Sequence, residues 1–126
     1  MKVLHLTLNK KWFDMILSGE KKEEYREIKG YWANRFLCKI GLSPQFFGPN
    51  FSRKNRMVIP KGYYKQFDFI EFSNGYSPSQ PKMVIKCQGI EIKQGIKEWG
   101  AEEGVEYFVL KLGEITDTKN CKPKTD

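Results

Sequence analysis

Three residues in one short stretch have the types and the spacing to hold a ligand. The stretch SGEKKEEYRE, residues 18–27, carries eight ionisable side chains in ten positions, among them Lys21, Glu24 and Arg26. If residues 22–28 form a strand, Glu24 and Arg26 project from the same face because side chains alternate with period two. The two side chains could pair and hold each other rigid. Lys21 would then remain for a phosphate, carbonyl or carboxylate group of a ligand.

The alternative for this stretch is a solvated turn between two elements. Isolated surface ion pairs contribute only about 0–1 kcal/mol each, and many have no role beyond solubility. On either interpretation, four neighbours of the three residues are expected to face solvent: Glu20, Lys22, Glu23 and Glu27.

A second candidate is a basic segment with interleaved aromatic residues. The net charge is +7, but between Ile28 and Phe67 there are eight basic residues and no acidic one. Cations beside aromatic rings suit contact with phosphates and stacking on bases, which predicts nucleic-acid binding. Alternatively, the aromatic residues pin a long loop to the core. Besides Lys29 and Arg35, the cations are Lys39, Arg53, Lys54, Arg56, Lys61 and Lys65, and the aromatic residues interleaved with these six are Phe46, Phe47, Phe51, Tyr63 and Tyr64.

Other candidates have weaker signals. Asn74 and Tyr76 flank Gly75 in a loop that could reach a base, although a turn explains Asn and Gly without a ligand. His5 lies on the polar face of the first predicted strand, where a structural hydrogen bond is the simpler role. Trp99 could be a stacking platform but is better explained as a plug of the barrel. Glu102 or Glu103 could approach Lys21 but are better explained as exposed charges of a turn.

The hydrophobic pattern predicts the elements that would position these residues. Residues 3–8 alternate as a half-buried strand, and a helix capped by Asn9 follows and ends at Gly19. Residues 38–66 have no periodicity, and residues 116–126 form a polar tail that we expect to be disordered. Additional elements are predicted at 22–28 (strand), 31–37 (helix) and 67–73, 82–93 and 107–112 (strands). This order predicts an α+β fold, a small, mixed and partly closed β-barrel with added helices.

Composition restricts the class of protein further. The chain has 126 residues, the size of one domain, and 40% of them are hydrophobic. The longest apolar run is four residues, so we expect no membrane span, no signal peptide and a cytoplasmic location. One histidine and three separated cysteines are too few for a zinc site, and no motif calls for a cofactor.

The motif and its setting resemble a known family. GEKKEEYR reads as G-x-K-x-x-E-x-R and follows a strand and a helix containing WFDMILSG, which resembles the ASCH domain. FSNGYSPSQPKMVIKCQGIEI and EWGAEEGVEYFVLKLGEI are similar to the later strands of small bacterial and phage-associated members. The resemblance covers residues 2–115. It implies a single PUA-like pseudo-barrel domain at 1–115, with residues 38–66 as a basic irregular insertion.

The resemblance also implies a function. ASCH domains are proposed to bind RNA in a cleft lined by this motif, so we expect RNA or a nucleotide-like ligand here. One branch hydrolyses N4-acetylcytidine with the lysine that matches Lys21, a threonine nucleophile at the position of Glu24 and an assisting glutamate. The alternative is therefore an amidohydrolase with catalytic Lys21 and Glu24, but Glu24 has no hydroxyl to form the same acyl intermediate. A third possibility is an interaction module without chemistry of its own.

Overall fold

A computed structural model describes residues 1–38, 59–75 and 79–121. Several residues singled out from the sequence lie outside these ranges, and their predicted roles stay predictions. They are Arg53, Lys54, Arg56 and Tyr76 of the candidate site, and Lys39, Phe46, Phe47 and Phe51 of the basic segment.

Five strands and two α-helices make up the regular structure of the described residues. The strands form one mixed sheet in the order β1-β3-β4-β5-β2. In chain order the elements are β1 (Val3–Leu8), α1 (Lys10–Leu17), β2 (Glu23–Arg26), α2 (Gly30–Phe36), a 3₁₀ helix (Lys61–Tyr63), β3 (Phe69–Asn74), β4 (Lys82–Gln94), a second 3₁₀ helix (Lys97–Trp99) and β5 (Glu106–Lys119).

The predicted α+β class is confirmed. β1 pairs in parallel with β3, whereas β3 pairs with β4 and β2 pairs with β5 in antiparallel fashion. A parallel pair cannot be joined by a tight turn, so the chain passes through α1, β2 and α2 between β1 and β3. The prediction of a partly closed barrel is wrong for the described residues, because their sheet is open, with β1 and β2 at its two edges.

The last strand is longer than the hydrophobic pattern predicts. β5 continues to Lys119, so the prediction of a disordered tail from residue 116 is wrong for residues 116–119. These residues are exposed, and their extended form comes from hydrogen bonds rather than from burial. Thr116 Oγ1 lies 3.2 Å from the carbonyl oxygen of Val84 in β4 and donates to it. A hydrophobicity pattern cannot detect a strand that is held in this way.

The chain packs as two compact units, each assembled from separated stretches. Unit one consists of the described residues of Met1–Lys22, Phe67–Gln88 and Leu112–Asp126. Its core contains the alternating leucines of β1, as predicted, together with one face of α1 and the inward side chains of β3 and β4. The buried side chains are Leu4, Leu6, Leu8, Phe13, Ile16, Ile70, Phe72, Met83, Ile85 and Leu112.

Both ends of α1 follow the sequence prediction. The Asn9 side chain caps the first turn and accepts a hydrogen bond from the Trp12 amide at 3.2 Å. At the other end Gly19 has a φ of 86°, a left-handed conformation that glycine adopts without a steric penalty. The helix therefore stops where it does for local reasons, and Lys21 follows at a defined position.

Unit two consists of the described residues of Glu23–Gln66 and Gly89–Lys111. Its core is built on α2 and on the inner part of β5. Phe36 of α2 and Phe108 of β5 are fully buried, and their rings meet edge to face with centroids 5.4 Å apart. Further buried residues are Ile28, Ala33, Leu37, Ile59, Tyr64, Ile90, Ala101, Tyr107, Val109 and Leu110.

Gly95 occupies a position in unit two where a side chain has no room. An alanine Cβ would lie 2.6 Å from the Ala101 Cβ and 2.7 Å from the Tyr25 ring. We expect Gly95→Ala to lower the free energy of unfolding by about 1–3 kcal/mol, the usual cost of overpacking. Urea unfolding followed by circular dichroism measures the change. Gly62→Ala is the control because nothing lies within 4 Å of its Cβ, and equal stability of the two variants would contradict the prediction.

Candidate functional site

Lys21 is a buried cation of unit one. The main chain after α1 turns back on itself, and the amides of Gly19 and Lys21 donate to the carbonyls of Ile16 and Met15, both at 3.0 Å. Only 2% of Lys21 is exposed. Its Nζ lies 5.1 Å from the centroid of the Trp12 ring, which is within the range of a cation–π contact. The alternative of a solvated turn is therefore wrong for Lys21, whose ammonium group lies over the Trp12 ring of α1.

A small cleft of about 160 Å³ in unit one includes Lys21 in its wall. Ile16, Ile85 and Leu112 contribute apolar surface, and Glu114 contributes a carboxylate. The Glu114 carboxylate is paired with Lys86 at 2.8 Å, and this hydrogen bond lowers the pKa of Glu114. Sites that enclose whole organic ligands usually measure about 300–1,000 Å³. The cleft is thus large enough for one functional group of a ligand rather than for a nucleotide.

Glu24 and Arg26 form an ion pair in unit two. Both lie on β2, and Arg26 Nη2 donates to Glu24 Oε2 at 2.9 Å. The side chains are 18% and 8% exposed for Arg26 and Glu24, respectively, so this pair is shielded from solvent. The period-two argument predicted this pairing correctly. Lys21 belongs to unit one, so its predicted convergence with the other two side chains stays a prediction.

Arg26 also contacts an aromatic cluster on α2. Its guanidinium carbon lies 4.9 Å from the centroid of the Trp32 ring, and that of Arg35 lies at 5.5 Å. The Trp32 ring stacks on Phe36 at 5.5 Å with an interplanar angle of 16°. Tyr31 meets Trp32 edge to face at 4.7 Å. We call these five residues the Trp32 cluster.

Part of this cluster can be recognised from the spacing of its residues along the predicted helix. Arg35 follows Trp32 by three positions and Tyr31 by four, and residues at these spacings share one face of a helix. Trp32 and Phe36 are four positions apart in the helix predicted over 31–37, so they share one side of it, and their rings stack in the structure. The contact of Arg26 with Trp32 joins β2 to α2, and a helical pattern alone does not predict it.

The described end of the basic segment is hydrogen-bonded to the end of α2. Lys65 donates through its amide to the Phe36 carbonyl at 2.8 Å and through Nζ to the Asn34 carbonyl at 3.2 Å. Tyr64 is buried, and burial raises the pKa of its hydroxyl. The aromatic residues of the basic segment were expected either to stack on bases or to pin a long loop to the core. The burial of Tyr64 favours the second role for this residue. Lys61 is exposed and remains a candidate for phosphate contact.

Glu23 was predicted to face solvent, and this prediction is wrong. Its carboxylate accepts hydrogen bonds from the Tyr25 hydroxyl and from Lys93 Nζ, both at 2.8 Å. The Tyr25 hydroxyl in turn accepts from the Ile96 amide at 2.9 Å, and burial raises the pKa of Tyr25. The Glu23 hydrogen bond raises the pKa of Lys93. The side chains on the side of β2 opposite Glu24 thus belong to a hydrogen-bond network that stabilises the fold. Glu20, Lys22 and Glu27 are exposed, as predicted.

The weaker candidates occupy less specific positions. Asn74 ends β3, half-buried, and its amide donates to the Pro81 carbonyl at 3.0 Å. His5 is exposed, and its Nδ1 lies 3.3 Å from Glu71 Oε1, consistent with the structural role considered for it. Trp99 is half-buried in the second 3₁₀ helix. The remaining two candidates, Glu102 and Glu103, are exposed.

Within residues 1–38, 59–75 and 79–121, no group of three or more His, Cys, Asp or Glu side chains could hold a metal ion. No helix in the same ranges has the length and the apolar character needed to cross a membrane. Comparison with known proteins found no matching family model, no matching curated protein and no matching solved structure.

Proposed function

We propose that this chain is a PUA-related domain of the ASCH type that binds RNA or a nucleotide-like ligand. The observation that carries the proposal is the Arg26 guanidinium of unit two, which is held by the Glu24 carboxylate at 2.9 Å and lies against the Trp32 ring. A guanidinium fixed in this way is preorganised for a phosphate or for the edge of a base, because little side-chain entropy remains to be lost on binding. The α+β class and the mixed sheet of the described residues are compatible with a small domain of this kind, and its relation to PUA domains is part of the proposal.

The surrounding charge favours an anionic partner. Arg35 lies in the last turn of α2, Lys65 is bonded to the end of that helix, and Lys61 is exposed four positions before Lys65. The carboxylate closest in sequence to α2, that of Glu27, lies 3.8 Å from Lys29 Nζ. Residues 23–38 and 59–66 of unit two together carry five basic side chains and three carboxylates, a net charge of +2 that supports contact with a phosphate backbone.

The amidohydrolase alternative has less support. A general base must accept a proton from water or from a nucleophile, and Glu24 Oε2 already accepts a hydrogen bond from Arg26. The pairing suits a carboxylate that positions Arg26. Incubation of the protein with N4-acetylcytidine separates the two functions: release of cytidine that is lost in Lys21→Ala would establish the enzyme, and no release is expected.

The binding function predicts a strong dependence on salt. We expect the intact protein to bind a fluorescein-labelled single-stranded RNA, and the affinity to fall about 20-fold between about 50 and about 200 mM salt if about three phosphates are contacted. Fluorescence anisotropy measures the affinity. Lys61→Gln should reduce the slope of log K against log salt by about 0.7, the contribution of one phosphate contact on a single strand. Lys119→Gln, an exposed lysine of unit one, is the control and should leave the slope unchanged.

Failure of the proposal has a clear signature. Absence of binding at low salt, or binding with no salt dependence, would remove the RNA-binding function. An equal effect of Lys61→Gln and Lys119→Gln would show that the lysines act only through net charge, and unit two would lose its role as the interface.

A further inference from the structure

Tyr31 is an aromatic side chain that the core does not use. It is 60% exposed, whereas Trp32 beside it is half-buried and Phe36 is fully buried. Four large apolar side chains of the described residues are exposed, and Tyr31 is the aromatic one among them. A ring of this size on the surface keeps apolar area in contact with water, and this area is available for contact with a ligand.

The Tyr31 ring is held in place despite its exposure. It packs edge to face on Trp32, at 4.7 Å and 86°. Trp32 is in turn fixed by stacking on the buried Phe36 and by the guanidinium groups of Arg26 and Arg35. The ring is therefore supported by a chain of contacts that leads into the core of unit two. Binding to such a ring costs little side-chain entropy, as a stacking platform requires.

Cationic groups accompany this ring. Arg35 lies one helical turn after Tyr31 on the same face of α2. Lys29 precedes the helix, and Arg26 contacts the same Trp32 that supports Tyr31. An aromatic ring beside several cations matches single-stranded nucleic acid, whose bases are free to stack and whose phosphates follow at short intervals. The bases of a duplex are already stacked on their neighbours and do not offer their faces.

We infer that Tyr31 is a stacking platform for an unpaired base, so that the protein prefers single-stranded RNA to duplex RNA. This inference rests on the proposed RNA-binding function and adds the form of RNA that is recognised. Arg35 is placed to contact a phosphate next to the stacked base. The Trp32 cluster then has two parts: the exposed Tyr31 ring, which binds the nucleobase, and the more buried side chains around Trp32, which support that ring.

The test compares two substitutions at Tyr31 in the intact protein. Tyr31→Ala should weaken binding of a labelled single-stranded RNA about tenfold, because the stacking of one base on the ring is lost. Tyr31→Phe keeps the ring and should bind within about twofold of the unsubstituted protein. The salt slope should be the same for all three proteins because no phosphate contact is removed. Affinity for a blunt RNA duplex should be weaker than for the single strand and insensitive to either substitution.

The outcomes separate failure of this inference from failure of the proposed function. If the unsubstituted protein binds no RNA, the proposed function fails and the inference falls with it. If it binds with the expected salt dependence but Tyr31→Ala binds equally well, only the stacking role is overturned. An equal loss of affinity for single-stranded and duplex RNA would also overturn it, because the ring would then contact the backbone. Circular dichroism melting of Tyr31→Ala verifies that the variant is folded.

Discussion

Replacing Phe36 with alanine is expected to lower the free energy of unfolding by about 3–5 kcal/mol. Phe36 is fully buried, its ring stacks on Trp32, and it meets Phe108 edge to face. The substitution removes the apolar area of a whole ring from the core and leaves a cavity that the surrounding side chains fill only in part. Urea unfolding at constant pH, followed by circular dichroism, gives the difference directly.

The neighbouring aromatic residue of the same helix is a matched control for this prediction. Tyr31→Ala also removes a ring from α2, but Tyr31 is mostly exposed, so the loss should stay below about 1 kcal/mol. The pair of variants separates the two parts of the Trp32 cluster: Phe36→Ala should reduce stability, whereas Tyr31→Ala should reduce RNA affinity at nearly constant stability. A loss below about 1 kcal/mol for Phe36→Ala would show that α2 is not anchored through this ring.

The second large effect concerns the ion pair of β2. Removing one partner of a buried pair typically costs about 3–5 kcal/mol, because the other charge stays behind in a poorly solvated place. Arg26 is 18% exposed, so water relieves part of this penalty. We therefore expect Glu24→Ala to lower the free energy of unfolding by about 2–4 kcal/mol. The same unfolding assay measures this change.

A double-substitution cycle tests the origin of this loss. If it comes from the pair, Glu24→Ala combined with Arg26→Met should cost less than the sum of the two single substitutions, because no charge is left without its partner. Glu27→Ala is the control. Glu27 lies 3.8 Å from Lys29, with more than half of both side chains exposed, and its removal should cost less than about 1 kcal/mol. Additive single effects would mean that Glu24 and Arg26 stabilise unit two independently.

The ion pair also connects stability with the proposed function. In Glu24→Ala the Arg26 guanidinium keeps its contact with Trp32 but loses the carboxylate that orients it. A positioning role for Glu24 agrees with the absence of a hydroxyl at this position, where the hydrolytic branch of the resembled family has its nucleophile. The proposal of binding rather than catalysis depends on this residue, because Glu24 has no hydroxyl that could act as such a nucleophile.

Local geometry explains which features were predictable from the sequence. The burial of Leu4, Leu6 and Leu8 and the pairing of Glu24 with Arg26 follow from the alternation of side chains along a strand. The cap at Asn9 and the turn at Gly19 follow from hydrogen bonds and backbone angles within a few residues. In each case the deciding interaction joins residues that are near neighbours in the chain, so the spacing of residue types carries the information.

Long-range contacts decided the features that the sequence left open or that were predicted wrongly. In the sequence, Glu23 resembles any charged residue of a turn. In the structure it accepts a hydrogen bond from Lys93, seventy positions later in the chain, and this long-range contact is not visible in the local sequence. β5 extends to Lys119 because a polar strand can be held by hydrogen bonds to β4 without burying apolar side chains.

For the candidate site, the sequence by itself determined the charges, the aromatic residues and the geometry of the Glu24–Arg26 pair. Only the tertiary structure brought Trp32 against Arg26 and left Tyr31 exposed beside them. The physical reason is that hydrophobic periodicity states which side of an element is buried, whereas the packing of one element on another decides which residues meet.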